Sequence, residues 1–243
     1  MDWRRGIFYA LAGMQILTAA TAQAQQALTL VTEDYPPFNM YGATNEAIVG
    51  ISADKVKLMM ARAHQPYTLQ LLPWTRALTM ARQDAHTCVF STTRTAEREP
   101  WFQWIGPLVT NYWTIFGRAD DDRQPRALAD LRNVIIGGYR NDAVSDYLIA
   151  HGFHTDLANY DADNPKKLLY GRFDYWATGE LLGQALIRKQ GLSGKIVALF
   201  QFEKTEMYLA CNRAMPQSHV DQLNQILRDM DKDGSSATIE KAY

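Results

Sequence analysis

Cys88-Val89-Phe90-Ser91-Thr92-Thr93-Arg94-Thr95-Ala96-Glu97-Arg98 is the stretch that organises the reading of this 243-residue chain. Its apolar start predicts a buried strand, and the three hydroxyl residues that follow place small hydrogen-bonding groups at the strand's tip. Arg98 comes a few residues later, close enough for its guanidinium to serve the same tip. A guanidinium grips a carboxylate through two parallel N–H bonds, so the segment reads as half of a clamp for an anion. Trp101-Phe102-Gln103-Trp104 then resumes an apolar, aromatic course. The plainer alternative pairs Arg98 with Glu97 or Glu99 on the surface, and Arg94 is read as solvated.

Upstream, residues 28–32 are strand-like, and Pro36 and Pro37 force an extended loop because each lacks an N–H and restricts the residue before it. Ser52 is placed as the cap of a helix reaching about His64, with Ala53, Val56, Met60 and Ala63 on one face. Tyr67, Leu69 and Leu71 alternate with polar residues as a strand does, and a short helix after Pro73 carries Ala77, Leu78 and Ala81. With residues 88–90 the order is β, α, β, α, β, which predicts a mostly parallel sheet covered by helices.

A second unit of the same kind begins after Gly106-Pro107. Residues 108–116 form its first strand, and a charged, proline-containing connector follows over 118–126. Residues 128–131 read as a helical turn, 134–138 as a buried strand, and 142–150 as a helix ending at His151-Gly152, where glycine takes a left-handed cap. Asn164-Pro165 opens another helix, 173–177 is a strand, and 180–190 is a helix stopped by Gly191. Strands at 195–200 and 207–212 precede a C-terminal helix from Pro216 to about Asp231. Two such units with short connections suggest two lobes, and a cleft between lobes collects strand ends and helix N-termini around ligands.

The first 24 residues stand apart from the fold. Arg4 and Arg5 precede an apolar stretch over 7–20 that closes with Ala22-Gln23-Ala24, the pattern of a secretory signal peptide cleaved after Ala24. Gly13 and Gln15 interrupt it, and it is shorter than the ~20 residues that span a bilayer. Its removal takes Arg4 and Arg5 from 25 basic residues and Asp2 from 26 acidic ones, leaving 23 and 25, a net charge of −2. That balance lacks the basic footprint of a nucleic-acid binder. A hydrophobic fraction of 47% supports a packed core rather than a disordered chain. Cys88 and Cys211 allow one bridge in an oxidising compartment, or stand as two buried thiols. No nucleophile elbow, phosphate loop or His-Glu-x-x-His metal helix is present, and no cofactor is implied.

Several short motifs recur in a telling order: Thr32-Glu33-Asp34-Tyr35-Pro36-Pro37-Phe38, then Gly50-Ile51 with Asp54, then Thr95-Ala96-Glu97-Arg98 followed by Phe102 and Pro107. Gly171-Arg172-Phe173-Asp174 and the Asp233-Gly234 turn come later. Together they resemble the periplasmic solute-binding proteins of the amino-acid type that serve ABC importers, the bacterial extracellular solute-binding protein family 3, over almost the whole mature chain. The resemblance implies an α/β fold of the type II periplasmic binding protein kind, each of two lobes a mostly parallel sheet flanked by helices. Two antiparallel hinge strands, near 108–116 and 207–212, would join them. Lobe 1 would be discontinuous, 25–108 with 206–243, and lobe 2 would span 109–205. In this fold the strand returning from lobe 2 lies beside the strand before the arginine motif, which places Cys211 near Cys88 and favours the bridge.

The family's carboxylate clamp transfers onto Ser91, Thr93 and Arg98. Tyr35 matches the ring that covers the ligand's apolar part, and Trp74 adds a second wall at the lobe's mouth; for both, packing into the core is the alternative. Trp101, Trp104 and Trp113 flank the hinge as structural residues. Arg140-Asn141-Asp142 occupies the strand-to-helix turn where the family presents ligand-binding groups, making Arg140 and Asp142 candidates, with simple helix capping by Asp142 as the alternative. Thr178, beside Gly179, completes the set. Family members that bind α-amino acids place an acid five residues after Asp174, and here that position is Gly179. A cation on the ligand would then be met by Asp142, Glu33 or Glu180.

The resemblance thus implies a monomeric, periplasmic binder of a small carboxylate-containing solute, an amino acid or related compound, delivered to an ABC permease in the inner membrane. A ligand-sensing partner of a membrane receptor and an enzyme similar to cyclohexadienyl dehydratases are the alternatives. One charge-assisted bond contributes about 1.5–3 kcal/mol against the roughly 8 kcal/mol of micromolar affinity, so stacking and cleft closure must supply the remainder.

Overall fold

Strand β1 (Leu28–Thr32) lies between two neighbours and is buried along nearly its whole length, as a strand covered on both faces must be. The computed structural model describes residues 26–44 and 46–243, so the signal-peptide reading of residues 1–24 lies outside the described residues. A two-strand ribbon, β2 (Met40–Tyr41) and β3 (Ile48–Val49), leads into α1 (Ile51–Arg62), β4 (Tyr67–Leu71), α2 (Trp74–Gln83) and β5 (Thr87–Thr93). The long β6 (Phe102–Arg118) passes to a second set: β7 (Ile135–Tyr139), α3 (Ala143–Ala150), β8 (His154–Ala158), α4 (Asn164–Leu169), β9 (Tyr175–Gly179) and α5 (Glu180–Lys189). The equally long β10 (Ile196–Asn212) returns, and α6 (Gln217–Lys232) and α7 (Ser235–Glu240) close the chain.

One eight-stranded sheet runs in the order β4-β1-β5-β10-β6-β9-β7-β8. β1 is parallel to β4 and β5, and β7 is parallel to β8 and β9. The antiparallel pairs are those of β10 with β5 and β6, and of β6 with β9. Each lobe is therefore a mostly parallel sheet, and β6 and β10 belong to both. Their pairing runs from Ile196 opposite Arg118 to Asn212 opposite Phe102, with register shifts at Ala198/Phe200, Gln201/Glu203 and Met207/Leu209.

Alternation along the strands decides which helix covers which face. Leu30, Cys88, Phe90 and Cys211 point into the core that holds α1 and α6, while Val31, Val89 and Ala210 point to the opposite side, against α2. α6 turns Val220, Leu223, Leu227 and Met230 inward at helical spacing. Burying each contributes roughly 1.5–3 kcal/mol. Cys211 lies opposite Cys88 in the ladder, and the two sulfurs are bonded, 2.08 Å apart. Lys55 on α1 is buried and donates to the Leu108 carbonyl at 2.6 Å and to Glu240 of α7 at 2.6 Å, tying the C-terminal helix to the first half of the chain.

Several elements differ from the sequence reading. The segments 195–200 and 207–212 are one strand, because the polar stretch between them stays paired to β6 on the exposed hinge. β8, the β2/β3 ribbon and α7 were not expected. Ser52 does not cap α1: it lies inside the helix with its hydroxyl buried and unpartnered, and Gly50 takes the cap position at φ 127°. The helix's first N–H groups are met by the preceding loop. Ile51 donates to the Pro37 carbonyl, and Ser52 and Ala53 donate to that of Phe38. A Cβ on Gly50 would run into those same two carbonyls.

Candidate functional site

The loop that serves the N-terminus of α1 is the one that carries Tyr35. Tyr35 and Asn39 close a tight turn, with Tyr35 N–H donating to the Asn39 carbonyl at 2.7 Å and Phe38 and Asn39 N–H groups returning to the Tyr35 carbonyl. The Tyr35 ring packs near Phe38, 5.8 Å between centroids, and its hydroxyl accepts from Asn111 Nδ2 at 3.2 Å on β6. Asn39 is fully buried, and its amide oxygen accepts from the Ser91 hydroxyl, linking this loop to the end of β5. Ser91 itself sits at φ 57°, a left-handed backbone that costs a non-glycine residue of order 1–3 kcal/mol and is typical of functional sites.

Arg98 is 2% exposed and faces the gap between the lobes. Nη1 donates to the Thr93 carbonyl at 3.4 Å, and Nη2 donates across the gap to the Asn141 carbonyl at 2.7 Å, with Asp146 Oδ2 at 3.5 Å. The Trp74 ring lies 5.6 Å from the guanidinium carbon, and Trp74 Nε1 donates to the same Asn141 carbonyl at 2.6 Å. Asn141 carries several of the second lobe's contacts across the gap: it sits at φ 59° in the β7–α3 turn, and its side-chain amide donates to Thr75 of α2 at 2.8 Å. A further bond crosses the gap where the Tyr139 hydroxyl donates to Glu33 Oε1 at 3.0 Å.

These groups enclose a cavity of about 10 Å³, room for roughly one water molecule. Its walls join both lobes, with Arg98, Ser91 and Thr93 facing Tyr139 and Asp142, and its floor is the hinge, through Asn111 and Trp113 of β6 and Met207 of β10. Acids crowd it. Burial, with Asp142 nearby, pushes the Glu33 carboxyl well above the usual range, while the Tyr139 hydroxyl pulls it back. Burial lifts Asp142 to about 7 despite the Arg98 charge, with Asp161 and Asp146 adding to the rise. Burial also lifts Asp161 to about 6, although Thr178, Asn164 and Trp176 all donate to it. Burial and the Asp142 charge raise both the Tyr35 and Tyr139 hydroxyls, so these stay protonated donors at neutral pH.

Of the residues singled out in the sequence, Glu33, Tyr35, Trp74, Ser91, Thr93, Arg98 and Asp142 come together around this cavity, and Trp113, read there as structural, lies in its floor; Glu180 instead pairs with Gln184 and Gln201. Asp142 also accepts from Val144 N–H at 3.2 Å, capping α3. Arg140 does not join them. Its N–H continues the β7–β8 ladder to the Ala158 carbonyl, and strand alternation sends its side chain outward to Asn159 while Tyr139 turns in. Thr178 is buried within the second lobe with its hydroxyl committed to Asp161 at 2.5 Å. Gly179 is explained by its surroundings: a Cβ there would collide with the Tyr35 hydroxyl and press on Asn111 at 3.0 Å. Sequence reasoning gave no role to Tyr139, Asn111, Asp146 or Asp161. Among the described residues, no group of three or more His, Cys, Asp or Glu is arranged to hold a metal ion.

The bacterial extracellular solute-binding proteins, family 3, match residues 28–243. Among solved structures, a histidine kinase sensor domain with similarity to periplasmic binding proteins superposes with a TM-score of 0.84 at 17% identity, covering 90% of this chain and 96% of that one. An ancestral arginine-binding protein bound to arginine gives 0.78 at 18% identity, with 89% and 97% covered. The GluR0 ligand-binding core from Nostoc punctiforme in complex with L-glutamate gives 0.77 at 16%, with 89% and 98% covered. These likenesses show a shared two-lobed fold. No curated protein matches the sequence. No helix among the described residues is long and apolar enough to cross a membrane.

Proposed function

Since the chain belongs to the bacterial extracellular solute-binding proteins, family 3, we propose that it binds a small carboxylate-containing solute, an amino acid or a related compound, by closing its two lobes around it. The observation that carries this reading is Arg98, a buried guanidinium at the inter-lobe gap whose partners across the gap are one carbonyl and a carboxylate oxygen at 3.5 Å. A buried cation is costly unless it is well paired. A solute carboxylate offers two oxygens in the fork geometry of the guanidinium, in exchange for the Asn141 carbonyl and the loosely held Asp146. Closure around such a solute is then favoured by contacts the open form lacks, which is what a ligand-driven hinge motion requires.

In this reading residues 25–108 with 206–243 move against 109–205. Ser91 and Thr93 line the carboxylate's side of the cleft, and Tyr35 and Trp74 supply its aromatic walls. The 10 Å³ cavity is smaller than a carboxylate, so loading begins with opening, when the Asn141 carbonyl leaves Arg98 and Trp74. Two of the structural neighbours hold amino acids, which supports that ligand class. Delivery from the periplasm to an ABC importer completes the proposal, with residues 1–24 as the export signal.

The likeness to a histidine kinase sensor domain favours a second reading, in which the closed form is read by a membrane receptor. Cross-linking the closed protein to its membrane partner and identifying that partner separates the two. The binding proposal is tested by mass spectrometry of solute released from protein purified without denaturation, followed by calorimetry with that solute on wild type and Arg98→Ala. Lost binding with an unchanged circular dichroism spectrum supports the clamp, and unchanged affinity overturns it.

A further inference from the structure

Beside the clamp, and still between the lobes, lies a much larger chamber of about 640 Å³. Glu33 and Trp74 line both spaces and form the wall between them, bridged to the second lobe by Tyr139 and the Asn141 carbonyl, so a solute that spans both enters when those contacts part. The chamber's size falls in the range that suits drug-sized solutes. Its floor is apolar on both sides, with Leu71 and Leu72 from the first lobe and Leu182 and Leu186 from the second. Tyr41 and Tyr160, 51% and 55% exposed, reach it from opposite lobes.

Two independent features say what kind of solute fits. Where β9 ends beside the clamp, Gly179 has no side chain, and the polar groups there are the neutral Tyr35 hydroxyl and Asn111 amide. Those neutral groups can accept from an amide nitrogen next to the bound carboxylate, with no carboxylate at position 179 to demand an ammonium there. Glu33 and Asp142 border the clamp cavity as well, and the acidic lining continues outward. Glu33, Asp34, Asp161 and Asp163 line the chamber, and of its described lining residues only Lys189 is cationic, 3.7 Å from Asp34. Asp161 is consumed by its three donors, but the Glu33 side chain accepts a single bond, from Tyr139, and its Oε2 makes none among the described residues.

We infer that the cleft takes a dipeptide-sized solute, with its terminal carboxylate on Arg98, an amide beside Gly179, and a positively charged distal end in the acidic chamber past Glu33. This rests on the carboxylate clamp proposed above. Calorimetry with Lys-Ala, Nα,Nε-diacetyl-Lys-Ala, free alanine and free lysine tests it on wild type, Glu33→Gln, the exposed-site variant Asp163→Asn and Arg98→Ala. The expected result is Lys-Ala binding at least tenfold tighter than either free amino acid, at least tenfold weaker binding after acetylation, and a smaller acetylation effect in Glu33→Gln or Asp163→Asn. Free lysine binding as tightly as Lys-Ala overturns the inference, as does indifference to acetylation or no peptide binding at millimolar concentration. If single amino acids bind and Arg98→Ala abolishes that binding, the clamp stands and only the chamber assignment falls. Peptide binding untouched by Arg98→Ala removes the clamp instead, and with it the orientation inferred here.

Discussion

Replacing both Cys88 and Cys211 with alanine removes the link between the strand that ends in Ser91-Thr92-Thr93 and the strand that returns from the second lobe. The bridge closes a segment of 123 residues, which includes the entire second lobe. In the chain-entropy account, a loop of that length contributes about 5 kcal/mol by restricting the unfolded chain. That is comparable with the whole stability of an ordinary domain, about 5–15 kcal/mol. At about 2–4 °C per kcal/mol for a chain of this size, the double variant should melt roughly 10–20 °C lower. It should still fold in the cold, because Met207, Tyr208 and Ala210 keep their ladder pairing with Thr93, Thr92 and Val89. Both cysteines are fully buried, so a reductant added to native wild type should act only during heating. Differential scanning calorimetry of oxidised wild type, wild type heated with reductant, and the double variant makes the comparison. A drop of less than about 3 °C would refute the loop-closure reasoning and leave strand pairing alone to order β10.

Four other outcomes follow from the cleft. Arg98→Lys keeps the charge but loses the fork, so solute affinity should fall about 10–100-fold, one charge-assisted bond, with calorimetry as the check. Asp142, raised to about 7, binds its proton more readily in the closed cleft than when hydrated in an open one; closure should therefore strengthen as pH falls from about 7 toward 4 and weaken as pH rises through 7. Asp142→Asn keeps a capping side chain and should flatten part of that dependence in small-angle scattering at pH 5 and 8; an unaltered profile would remove Asp142 from the account. Trp74→Phe deletes one bond to the Asn141 carbonyl and should shift the unliganded protein toward the open form by about 1 kcal/mol, seen as fluorescence transfer between labels on the two lobes. Gly179→Asp should cost about 1–3 kcal/mol through collision with the Tyr35 hydroxyl, and adding Tyr35→Phe should recover part of the lost melting temperature.

The strands of the first half were readable because alternation and turn residues agree there, as in Tyr67, Leu69 and Leu71 after His64 and before Pro73. β8 escaped because it is an edge strand whose His154-Thr155-Asp156 start is polar and only partly covered, so no period of two shows. β10 looked like two strands because residues 201–206 are polar on an exposed hinge, where backbone pairing rather than side-chain burial keeps them extended. Ser91, Thr93 and Arg98, which lie within eight residues of one another, were legible as one side of the inter-lobe cavity. Its other half was not. Tyr139 meets Glu33 across 106 residues of sequence, and Asn141 meets Arg98 across 43; such pairings depend on how two lobes face each other. Arg140 was overvalued for the same reason, since which of two adjacent residues turns inward is set by the register of β7 against β8.

Asn111, Trp113 and Met207 are at once the base of the cavity proposed to take the solute and links in the two long strands that join the lobes. A guest of unusual bulk would set β6 and β10 at a different curvature, and the bulged registers near Gln201/Glu203 and Met207/Leu209 are where that curvature would be taken up. In the proposed role, a membrane partner resting on both lobes would then gauge the dimensions of the bound solute without touching it.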